Sequence, residues 1–259
     1  MFTTVGWLED INQAAAYAFL TALADQHVTI VGDDIRVPSL LNKLVAIAGL
    51  IDTTVAGRAR LVSPSLRRRS NYYIAPLNGQ AAAAQEPNSP QAIVDLRANP
   101  ITLITGENLS VETLATPAAV QDQSVIVWLA DGPIVPITGP IFSIRALSAT
   151  VAGVNVWTNV PIVFDEDIPR GRYQIVGLRP MSAGMVAARI VLVGAPNRPG
   201  ALGVDLIGDI QSEIFRNGNM GVWGEFEDTD PPTIDVLSIS ADAAQEFILD
   251  LIQVREGPA

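Results

Sequence analysis

The chain has 259 residues, 49% of them hydrophobic, with a formal net charge of −11, no cysteine and a single histidine, His27. That length and apolar content suit one large domain, or a domain with an appendage, built around a sizeable core. Disulfides, thiolate nucleophiles, zinc–thiolate centres and multi-histidine metal sites are excluded, and the acidic balance argues against nucleic-acid binding over the whole surface.

Trp7, Leu8, Ile11, Ala14, Ala15, Ala18, Phe19 and Ala22 recur at three- and four-residue spacing, which predicts an amphipathic helix of about 17 residues. Its alanine-rich stripe, anchored by Trp7, Ile11 and Phe19, reads as a protein–protein contact or as packing on a second helix. On that reading, deleting residues 1–26 leaves the remainder folded and abolishes assembly. His27 falls at the helix C-terminus, where a protonated imidazole favours the dipole. Val28–Val31 and Ile35–Val37 flank Gly32-Asp33-Asp34 as a small hairpin. Ser39 is placed to cap a second helix carrying Leu40, Leu41, Leu44, Val45, Ala48 and Ile51. Arg58–Val62 and Arg67–Ile74 read as strands interrupted at Pro64. Residues 1–78 thus form a mixed N-terminal segment with two helices. The low-complexity stretch 79–90 (GQAAAAQEPNSP) reads as a linker.

Beyond it the pattern is short strands punctuated by Pro and Gly. They are expected near Ile93–Leu96, Ile101–Ile104, Ser124–Ala130, Ile134–Ile137, Ile141–Val151, Val160–Phe164, Arg172–Leu178, Met185–Val193, Met220–Phe226, Thr233–Ile239 and Phe247–Val254. Arg172–Leu178 and Met185–Val193, joined by RPMSAG, look like a hairpin, and Leu206–Phe215 like a short helix or crossover. None of these strands is followed by a helix long enough for a parallel crossover. The expected class is therefore mainly β: an antiparallel jelly-roll β-sandwich over 91–256, with no fixed-period repeat. No apolar run reaches the length of a membrane-spanning helix, and the start MFTTVGWLEDINQ lacks the basic region of a signal peptide.

For chemistry, His27 is the only base available to a Ser-His-Asp arrangement, and nothing in its setting suggests one. There is no phosphate-binding glycine loop. Asp165, Glu166 and Asp167, and Glu225, Glu227, Asp228 and Asp230, lie in acidic loops. These read as solvated turns, as partners for arginines of a neighbouring subunit, as hard oxygen ligands for Ca²⁺, or as an acid–base pair; the spacing matches no EF-hand. Arg67, Arg68 and Arg69, beside Tyr72 and Tyr73, read as a subunit contact or solvated turn, or as a polyanion contact. Trp128, Trp157, Phe164, Tyr173, Trp223 and Phe226 read as core or interface anchors, or as the stacking platform of a sugar-binding module. No catalytic residue and no cofactor are assigned.

The succession RGRYQIVGLRP, AARIVLVGAPNRPG, FRNGNMGVWGEFE and DVLSISADAAQEFILDLIQV resembles the jelly-roll major capsid proteins of tailless icosahedral viruses, over about Gln91 to Glu256. The resemblance implies a structural, non-enzymatic subunit that assembles with itself into an icosahedral shell. It also implies a place in the virion after assembly in the host cytoplasm, with nucleic acid, a membrane or an inner virion protein on the inner face. The usual basic genome-binding arm is missing. A carbohydrate-binding or adhesion sandwich is the alternative.

Overall fold

The computed structural model describes residues 1–11, 16–51, 57–68, 72–74, 78–79, 93–115, 121–204 and 211–257. In chain order its first part contributes β1 (Phe2–Ile11), β2 (Ala18–Phe19), β3 (Thr29–Val31), β4 (Asp34–Arg36), β5 (Lys43–Ile51), β6 (Gly57–Val62), the one-turn helix α1 (Pro64–Arg67), β7 (Tyr72–Ile74), β8 (Asn78–Gly79), β9 (Ile93–Asp95), β10 (Ile101–Thr102), β11 (Asn108–Ala115) and β12 (Gln121–Ala130). There follow β13 (Phe142–Ser148), β14 (Trp157–Val160), β15 (Val163–Phe164), β16 (Gly171–Met181), β17 (Met185–Val191), β18 (Gly200–Leu202), β19 (Gly224–Glu227), β20 (Thr233–Ser238) and β21 (Gln245–Glu256). The chain is mainly β, its sheets almost wholly antiparallel, as expected.

The second part is a jelly roll. Its sheets run β13-β21-β16-β19 and β14-β20-β17-β18, with β15 added beside β13. Leaving β15 aside and lettering the other eight strands a to h in chain order gives a-h-c-f and b-g-d-e, the order left when a long antiparallel pair is wrapped into two Greek keys. The first part has the same order. Its sheets run β1-β12-β5-β10, with β8 and β9 also on β5, and β4-β11-β6-β7, with β3 beside β4 and β2 on β11. Taking β1, β4, β5, β6, β7, β9/β10, β11 and β12 as a to h, every pairing recurs. The chain is therefore two jelly rolls in tandem.

The sheet β1-β12-β5 is buried on both faces. Along β12, Val125, Val127 and Leu129 join the core of the first roll with Trp7, Leu61 and Leu109, whereas Ile126, Trp128 and Ala130 join the apolar cluster of the second roll. That period-2 division is what a strand with two apolar faces must show. Across the seam, the Trp128 indole donates to Gly200 O at 2.8 Å, Thr4 N donates to Arg198 O at 2.8 Å, and the Trp128 and Phe215 rings lie 5.0 Å apart.

Both expected N-terminal helices are replaced by strands. Phe2–Ile11 pairs with Gln121–Ala130 over ten residues, and Lys43–Ile51 forms the next strand, β5; Ser39 caps nothing helical. The physical reason is burial on both faces, which makes VGWL and KLVAIAGLI continuous apolar runs in which a helical spacing can always be found. The expected hairpin over 172–193 is a corner: β16 and β17 lie in different sheets, and Gly184, at φ +75, turns the chain from one to the other. A Cβ there would stand 2.2 Å from Ser240 Oγ. Ile134–Ile137 is not a strand, whereas β11 and β18 were not expected. Pairing also crosses the expected 79–90 boundary, since β11 and β12 bond to strands from the first 62 residues. All of that linker except Gly79 lies outside the described residues.

Candidate functional site

The residues singled out from the sequence are dispersed. Trp7 is fully buried in the first roll, its indole donating to Asp33 O at 3.2 Å, and so is no interface anchor. Phe19 is 54% exposed on β2, as an anchor would be. Arg67 and Arg68 are exposed at the end of α1, whose N-cap Ser63 and neighbour Ser65 bond to the buried Glu107 carboxylate. Tyr72 and Tyr73 lie on β7; their side chains, that of Ile11, and Arg69 are outside the described residues.

The acidic residues do not form one cluster. Asp165 pairs with Arg145 at 2.9 Å, Glu225 with Arg172 at 2.5 Å and Glu227 with Arg255 at 2.8 Å, all within this chain. Asp228 accepts from Gly171 N at 2.8 Å, and Asp167 is exposed on the loop after β15. Among the described residues no three His, Cys, Asp or Glu side chains come together as a metal site would require. Trp128, Tyr173, Trp223 and Phe226 are buried, and the Tyr173 hydroxyl donates to Pro169 O across the corner before β16.

What the fold does bring together lies at the seam. β17 carries Arg189 in the apolar run MVAARIV, and β20 carries Asp235 opposite it in register. Arg189 Nε donates to Asp235 Oδ2 at 3.0 Å, Nη1 donates to Thr4 O at 3.1 Å and also bonds Asp25 Oδ2, and the guanidinium lies 4.1 Å from the Trp157 ring centroid. Asn159 Nδ2 holds Asp235 Oδ1 at 2.9 Å, and His27 N holds Asp25 Oδ1 at 2.8 Å. Arg189 and the Asp25 side chain are each only 3% exposed, so this is a desolvated pair of carboxylates clamped on one guanidinium. It ties β1 of the first roll to β17 and β20 of the second.

Beside this clamp is a cleft of about 530 Å³ lined by Asp25, His27, Trp157, Arg189, Arg198 and Asp235. A second, of about 560 Å³, shares Val191 and Arg198 with it and runs toward Glu227 and Pro231. Burial, and then the charge of Arg198, hold the His27 imidazole below its ordinary pKa, so it is mainly neutral at pH 7. Burial likewise lowers Arg198. The sequence reading passed over both arginines. The available signal was a single charge inside an apolar strand, Arg189 in MVAARIVLV and Asp235 in TIDVLS, which the fold can bury only if it is paired.

No protein-family model and no curated protein matches the chain. Among solved structures there is a likeness to the major capsid protein P2 from bacteriophage PM2, with a TM-score of 0.27 and 11% identity over 97% of both chains. A score of that size establishes neither common ancestry nor function.

Proposed function

We propose that the protein is the structural subunit of a self-assembling shell, a viral capsid protein acting in the virion and partnered by copies of itself. The observation that carries this reading is the tandem of jelly rolls with one strand order. A closed shell is built by repeating near-equivalent contacts. A chain that presents the same rigid module twice supplies two sets of such contacts without being longer than about 260 residues. The exposed apolar residues are consistent with contact use: Val151, Val154 and Val156 on one loop, Val163 on β15, and Val193 beside the second cleft. Exposed Arg67 and Arg68 are the part of the first roll best suited to an inner virion protein or a polyanion.

The carbohydrate-binding alternative needs aromatic rings open to solvent. The buried positions of Trp128, Tyr173, Trp223 and Phe226, and the Arg189 guanidinium stacked on Trp157, disfavour it. No catalytic step belongs to the proposal. Sedimentation velocity and negative-stain electron microscopy of the full chain over a range of concentrations test it. Closed oligomers or shells are expected. A monomer at every concentration overturns the reading, and glycan binding by that monomer would install the alternative.

A further inference from the structure

We propose that the seam cleft is a binding site for a small oxyanion, a carboxylate or a phosphate, held by the Arg198 guanidinium with His27 at its side. Four charges line the cleft, but they are unequally used. All four carboxylate oxygens of Asp25 and Asp235 already accept a hydrogen bond, two of them from Arg189 and the others from His27 N and Asn159 Nδ2. Arg198 is only 8% exposed, yet its Nη1 donates to the carbonyls of Ala195 and Asn197, at 3.1 and 3.2 Å. Among the described residues its Nε has no hydrogen-bond partner and its guanidinium has no carboxylate within 4.0 Å.

Trp157 lines the same cleft, its ring covered by the Arg189 guanidinium. The group left without a counter-charge is thus a cation. A ligand with negative charge supplies that counter-charge; a metal ion or an apolar ligand does not. The cleft volume admits a phosphate or a small carboxylic acid with room to spare. The inference does not depend on the shell reading.

His27 is the chain's only histidine, so its ring resonance is a reporter that needs no assignment. The full-length protein, labelled at histidine, is titrated with sodium phosphate, with sodium acetate, and with sodium chloride at matched ionic strength. The expected result is a saturable shift of the His27 signal with phosphate or acetate but not chloride, and a rise in the His27 pKa at saturation, since a bound anion favours the imidazolium. Saturation by one oxyanion alone names the chemistry. Arg198→Gln is expected to weaken binding by at least about tenfold. Arg198→Lys, which keeps the charge but loses Nε, is expected to weaken it less, and Arg145→Gln on the far sheet to leave it unchanged. An equal, non-saturating response to all three salts overturns the proposal without any variant. So does unchanged binding by Arg198→Gln. A His27 shift that follows protein concentration and ignores added anion also overturns it, and assigns Arg198 to a carboxylate of a second copy.

Discussion

At the residue scale, the Arg189 clamp is a liability as well as a bond. Replacing the guanidinium by an apolar chain leaves two carboxylates desolvated and unpaired between the rolls. Arg189→Met is expected to cost about 3–5 kcal/mol in chemical denaturation, and adding Asp25→Asn and Asp235→Asn to recover part of the loss. A cost below about 1 kcal/mol would mean that water reaches the carboxylates. His27 gives a pH dependence of definite sign. Its folded-state pKa lies below the ordinary 6.5, so on acidification the unfolded chain takes up the proton first. Stability contributed by the neutral ring, among Arg198, Asp25, Arg189 and Asp235, is present above about pH 6.5 and is lost as pH falls through that value toward the folded pKa. Unfolding midpoints measured from about pH 8 to about pH 5 should fall, and should fall less in His27→Gln. Little of this was legible beforehand. A lone Arg in an apolar strand announces that it will be paired, but its partners come from residues 25 and 235, and only the fold determines that distance in sequence.

At the scale of elements, legibility depended on how many faces a strand buries. β3 and β4, whose hairpin turns at Gly32 with φ +64, and β16, β20 and β21 were found because turn residues bound them clearly. β1 and β5 were misread because the two-faced sheet erases alternation. β11 was missed although Leu109, Val111 and Thr113 alternate in it; Glu112, buried against Arg60, disguised the pattern. The correction reverses an experiment. Removing residues 1–26 deletes β1 and exposes the ten-residue edge of β12, so the truncated chain is expected not to fold, with loss of its β circular-dichroism spectrum and of a cooperative melt. A folded truncation that merely fails to assemble would restore the reading of this segment as a protein–protein contact. Gly6 offers a finer test. A Cβ there would stand 3.0 Å from Ile126 Cδ1, 3.3 Å from Leu23 Cδ1 and 3.6 Å from Trp157, so Gly6→Val should act as a wedge in the seam costing about 1–3 kcal/mol.

For the whole molecule, the duplication of strand order left no sequence period. A jelly roll is specified by where apolar faces and turns fall, and the two copies face different surroundings. In β12 both faces are buried, whereas β21 presents Glu246 and Arg255 on an outer face, paired with Arg145 and Glu227. Topologically equivalent positions therefore carry unlike residues. The rolls nevertheless share one apolar cluster through Phe2, Leu8, Ile126 and Trp128. Cutting the chain between Asp131 and Gly132 should give halves that elute together when co-expressed, while the first half alone aggregates through its bared face. Independent, soluble halves would show that the seam contributes little.

The pairing of first strand with last also sets a timetable for synthesis. Phe2 lies opposite Ala130, and Phe142 opposite Leu251. At translation rates of about 5–20 residues per second, the nascent N-terminal strand waits several seconds before the strand that covers it leaves the ribosome. From its own synthesis to the end of that interval β5, with apolar side chains on both faces, is present without β12. Each roll closes only at its last strand, so early release or a stalled ribosome delivers an open sheet to the cytosol. That edge has to be kept apart from its neighbours on the same polysome twice for every chain.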